Sequence, residues 1–167
     1  MDVFDTQKLT SPRCGGPGEA RALALQPDGK IVVGGDAGCG DTAGGWGLVF
    51  ALARYLPDGT LDPTFGGDGR VTGFSWNISY IFGLAIQADG RIVASGWDAM
   101  TTGKFAVIRL QSGGHLDKTF GTGGMVLTFK PDGLANDVAI QADGKIVATG
   151  FAMGKIGGLV MARYLPS

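Results

Sequence analysis

Histidine is nearly missing from this chain of 167 residues: His115 is the only one. Together with the two cysteines, Cys14 and Cys39, it falls short of the four ligands of a structural zinc site, and no metal is expected. An excess of either charge is missing too. The 14 basic and 15 acidic residues nearly cancel, to a net charge of −1, and they are scattered. That pattern makes no positive stripe for DNA or RNA, so no nucleic-acid partner is expected. The apolar runs stay far below the roughly 20 residues of a membrane helix, which argues against membrane insertion. The opening residues, MDVFDTQKLT, lack the basic and apolar regions of a secretory signal. Nucleophile-elbow, P-loop and metalloprotease motifs are absent as well. The stretches GGPG and GGDAGCG do not sit between a strand and a helix, so they are weak as nucleotide loops. No cofactor and no enzymatic activity are expected.

What the chain has in excess is glycine, at 31 residues. There is no three-residue period, which excludes collagen, and many tight turns account for the glycine instead. Hydrophobic residues make up 44%. A chain of this size typically hides about 68–70% of its unfolded surface, so a real core is expected.

One segment recurs three times: ALALQPDGKIVVGG, GLAIQADGRIVASG and DVAIQADGKIVATG, with glutamines at Gln26, Gln87 and Gln141. A second segment follows each copy: FALARYLPDGTLDPTFG, FAVIRLQSGGHLDKTFG and LVMARYLPS, with arginines at Arg54, Arg109 and Arg163. The first Gln-to-Arg interval is 28 residues and the other two are 22, so the first copy carries a six-residue insertion. Internal repetition of this kind marks a repeat architecture. Asp-Gly between two runs of Ile, Val and Leu reads as a β-hairpin, closed by either a two-residue turn or a three-residue turn with a bulge. The arginine segment supplies a further strand. A fourth is RVTGF at Arg70 and MVLTF at Met125, each just after Thr-Phe-Gly; its counterpart in the first copy falls near Lys8. Weak alternation along the strands fits sheets buried on both faces.

The chain is therefore expected to be all-β: tandem four-stranded antiparallel blades forming a three-blade partial or half β-propeller. The divisions are about 1–62, 63–117 and 118–167. A linear β-solenoid or an open stack of small sheets is the alternative.

The motifs QxDGKIVVxG and ARYxxDGxLDxTFG resemble the delta-60 repeat family of bacterial proteins, closely so over Gln26–Gly35 and Arg54–Gly66. The resemblance implies propeller-like blades in large, exported or surface proteins, and no catalytic residues to carry over. Two features depart from the pattern. The first copy begins irregularly, with TSPRCGGPGEA, and the third stops at Ser167 before its Leu-Asp-x-Thr-Phe-Gly. Propellers close with four to eight blades. Three readings stay open: a fragment of a longer chain, a short product, or a half-propeller that pairs head to tail with a second copy.

Residues present in every copy are read as serving the blade, and residues present once as serving a task. Arg54, Arg109 and Arg163 lie in apolar strands, where an unpaired buried charge is costly. Asp62 and Asp117 are the candidate partners of the first two, while Arg163 has no such aspartate after it. Gln26, Gln87 and Gln141 are read as satisfying turn backbone groups, and Phe65 and Phe120 as plugs in the seam between blades. The single-copy residues gather at the blade end away from the Asp-Gly turn, where binding sites usually lie. Trp46, Trp76, Trp97, Asp36 and Asp98 there are candidates for a glycan- or peptide-binding surface. The bland alternative makes Trp97 and Phe151 seam residues. Folding the first hairpin brings Cys14 and Cys39 to the same end, so a disulfide fits there, and whether they pair stays open. Asp36 and Asp41 are weak as a calcium loop. His115, at the position of Thr60, reads as a loop substitution.

Function is expected to be that of a binding or scaffold module, outside the cell or on its surface as part of a longer protein. The alternatives are a purely structural repeat that oligomerises through blade faces and a propeller-type lyase or hydrolase.

Overall fold

A computed structural model describes residue 14 and residues 16–40, 46–73, 79–98, 103–128, 133–153 and 157–165. Trp76, Asp41 and the side chain of Trp46 lie outside the described residues. The described residues form eleven strands: β1 (Gly16–Leu25), β2 (Ile31–Gly40), β3 (Trp46–Tyr55), β4 (Arg70–Thr72), β5 (Tyr80–Ile86), β6 (Ile92–Asp98), β7 (Lys104–Leu110), β8 (Met125–Thr128), β9 (Gly133–Ile140), β10 (Ile146–Ala152) and β11 (Gly158–Tyr164). They make three antiparallel sheets, in the orders β1-β2-β3-β4, β5-β6-β7-β8 and β9-β10-β11. Among the described residues no helix is long and apolar enough to cross a membrane.

Each sheet starts from the Asp-Gly hairpin. The Gly29 amide donates to the Gln26 carbonyl at 2.9 Å and the Gln26 amide to the Lys30 carbonyl at 2.8 Å, with Gly29 at φ 82°. This is the three-residue turn with a bulge, which needs a left-handed residue that glycine supplies without strain. Asp28 accepts the Lys30 amide at 3.2 Å, which fixes the turn locally. The same bonds recur at Gln87 and at Gln141. It is thus the glutamine backbone that serves the turn. The side-chain oxygens of Gln26 and Gln87 are buried without a hydrogen-bond donor.

The strand after Thr-Phe-Gly belongs to the sheet it follows. Ala51, Leu52 and Ala53 pair with Thr72, Val71 and Arg70, and Ile108 pairs with Met125. The loop between is tied back onto its own sheet: the Gly69 amide donates to the Phe65 carbonyl at 2.7 Å, and the Arg54 amide to the Gly69 carbonyl at 3.0 Å. The divisions expected at 62/63 and 117/118 would cut through this loop. The sheets instead part within residues 73–79 and 129–132. The third sheet has three strands.

The two larger cores lie between sheets. One core lies between the first and second sheets, where Val32, Phe50, Leu52 and Phe65 meet Ile81, Ile92, Ala106 and Ile108. The other lies between the second and third, where Val93, Phe105, Val107 and Phe120 meet Ala135, Val138, Ile146 and Ala148. Strand β7 faces both. Its Phe105 and Val107 point to one core, and its Ala106 and Ile108 to the other. That double burial explains the weak alternation in the sequence. Phe65 and Phe120 are the expected seam plugs. Gly114 of the second sheet leaves room for Phe65, whose ring would stand 3.0 Å from an added Cβ.

Candidate functional site

The repeated motif residues assemble one cluster per sheet. In the first, Arg54 Nε donates to Asp62 Oδ2 at 2.8 Å, and Nη2 donates to Thr64 Oγ1 at 3.0 Å. Asp62 Oδ1 accepts the Thr64 amide at 3.0 Å and the Thr64 hydroxyl at 2.6 Å. Lys30 Nζ adds a contact to Asp62 at 3.3 Å, and the guanidinium lies 4.7 Å above the Phe65 ring. Arg54 Nη1 reaches across the seam to the Ser112 carbonyl of the second sheet. The second sheet repeats the set: Arg109 Nε to Asp117 at 2.9 Å, Arg109 Nη2 to Thr119 at 3.2 Å, Arg91 Nε to Asp117 at 3.0 Å, and Arg109 over Phe120 at 4.8 Å. Leu-Asp-x-Thr-Phe-Gly is therefore the receptor for the arginine of the strand before it. The Thr64 hydroxyl holds the Asp62 carboxyl well below the usual carboxylate range; burial opposes this, and the Thr64 amide and Arg54 add to it. At Asp117 burial pushes upward, but Thr119 and Arg109 outweigh it and the group is also lowered. These are structural ion pairs, as expected. Arg163 is exposed and makes no ion pair among the described residues.

The end away from the Asp-Gly turns holds a different arrangement. Arg21 sits where the register of β1 shifts, between Ala20 and Ala22. Its Nε donates to Asp36 Oδ1 at 2.7 Å, and its Nη2 lies 2.8 Å from Glu19. The guanidinium stands 5.5 Å from the Tyr80 ring and 5.6 Å from the Phe82 ring, both on β5 of the next sheet. Tyr80 stacks on Phe82 at 5.9 Å and on its cross-strand partner Trp97 at 5.6 Å. The result is a half-buried aromatic row with a guanidinium held against it.

This placement revises the expected ligand residues. Trp97 belongs to the row, and its indole Nε1 is buried without a hydrogen-bond partner. Asp36 and Asp98 are buried, so neither presents a carboxylate to solvent; Asp36 instead anchors Arg21. Arg21, Tyr80 and Phe82 were missed by sequence reasoning. The signal was present: aligned on the glutamines, Arg21 stands where the other copies have Phe82 and Asn136.

Cys14 and Cys39 form a disulfide. It lies in a small apolar cluster with Ala37 of β2 and Ala51 and Val49 of β3, towards the strand ends away from the Asp-Gly turn. A cavity of about 590 Å³ opens between the outer strands of the first two sheets, lined by Asp68, Arg70, His115 and Lys118 among others. His115 is an exposed residue of the loop between β7 and β8, at the wall of this cavity.

Two segments of the chain, residues 26–65 and 87–120, match the model of a family described as a domain of unknown function (DUF5122) beta-propeller. They run from the glutamine through the Thr-Phe of the first two copies, so the match falls on the repeated motifs. The chain is thus similar to a β-propeller-like repeat family. No curated protein matches it.

Proposed function

We propose that this β-propeller-like repeat chain is a non-enzymatic binding or scaffold unit of an exported or surface bacterial protein. The finer likeness to the delta-60 repeats, drawn from its motifs, supports the bacterial and surface parts of that reading. The observation that carries the binding role is the row of Arg21, Tyr80, Phe82 and Trp97. It is built from residues outside the repeated motif, at the end where a rigid scaffold usually presents its site. Its stacked rings and guanidinium suit a glycan or peptide segment. The Cys14–Cys39 disulfide supports export, because such bonds persist in oxidising compartments.

Glycan and peptide arrays probed with the native chain and with Tyr80→Ala test the ligand role. A signal on the native chain that the variant loses supports it. Arrays on which both proteins stay dark, or on which the variant binds equally, refute it.

A further inference from the structure

The two cores inside this molecule are the same seam made twice, and the described residues leave two unmatched halves of that seam exposed. Aligned on the arginines, Phe50 and Leu52 of the first sheet correspond to Phe105 and Val107 of the second and to Leu159 and Met161 of the third. The first two pairs are fully covered by the following sheet. Leu159 is 89% exposed and Met161 63%. The arginines follow suit, with Arg54 and Arg109 buried and Arg163 exposed. Aligned on the glutamines, Leu84 and Ile86 of the second sheet and Val138 and Ile140 of the third pack against the preceding sheet. Their counterparts in the first sheet, Leu23 and Leu25, are 66% and 67% exposed.

We infer that a second copy of this chain docks head to tail, the β10–β11 face of one molecule covering the β1–β2 face of the other. The covered strip runs along Leu23 and Leu25, towards the Asp-Gly turn, while the Cys14–Cys39 cluster on β2 and β3 lies towards the other end of the sheet. Two things favour this occupant. Every copy carries both halves, so two copies satisfy each other in a single closed arrangement. The seam also brings a polar contact with it. Arg54 donates to the Ser112 carbonyl across the first seam; the position of Ser112 in the first sheet is held by Pro57, which is exposed and stands ready for Arg163 of the second copy. The contact joins unlike faces, so it is heterologous and closes only as a ring. The inference is independent of the ligand reading above.

Light scattering on the purified chain with its disulfide intact tests it. The expected mass is twice the 17.1 kDa of one chain. Leu159→Glu and Leu23→Glu each spoil one half of the seam. Both positions are exposed, so thermal melts should show both variants folded. Each variant alone should run as a single chain, and mixing the two should restore a two-chain species through the one undamaged contact. A native chain that stays single across the micromolar range, a variant that still pairs with itself, or a mixture that does not associate overturns the inference.

Discussion

At the scale of the residue, the arginine clusters explain most of the repeated motif. Arg109 is wholly buried, and Asp117, Thr119 and Phe120 are arranged around its guanidinium. Removing one partner of a buried pair strands the other, at a cost of about 3–5 kcal/mol. Asp117→Ala is expected to lose that much in urea unfolding, and the paired change Arg109→Met with Asp117→Leu to recover most of it. The pH dependence has a definite sign. Asp62 and Asp117 are lowered in the folded state, against about 3.9 in an unfolded chain. Their stabilisation is whole above that value and drains away as pH falls towards the folded values. The urea midpoint is therefore expected to hold steady from neutral pH to about pH 5 and to fall steeply below about pH 4. Asp62→Asn should make that fall shallower.

At the scale of the element, the hairpins were legible because their chemistry is local. Asp-Gly dictates the turn, and the flanking Ile and Val runs dictate the strands. Gly90 holds φ 83°, so Gly90→Ala is expected to cost about 1–2 kcal/mol, read as a lower melting temperature with unchanged far-UV dichroism. Which sheet owns β4 and β8 was not legible. That depends on the Thr-Phe-Gly loop folding back around the arginine, a contact between residues eight to ten apart that strand patterning does not show. The aromatic row was hidden for a related reason. Tyr80 and Phe82 look like ordinary strand residues until the neighbouring sheet brings Arg21 to them. The exposed ends of the repeat could be anticipated, but the burial of Asp36 by Arg21 crosses strands and needed coordinates.

At the scale of the whole molecule, stability resides between sheets rather than within them. Both cores draw their buried residues from two neighbouring sheets, as in repeat proteins whose units cannot bury their own apolar faces. The Cys14–Cys39 bond closes a span of 25 residues, worth about 3 kcal/mol by loop-closure reasoning. The most direct measurement is the behaviour of the second sheet alone, residues 80–128, followed by urea titration and amide exchange. With both neighbours removed, Phe105 and Ile108 lose their cover together. The fragment is predicted to show no cooperative transition and no protected amides. A cooperative unfolding curve with protected amides in β6 and β7 would contradict the account.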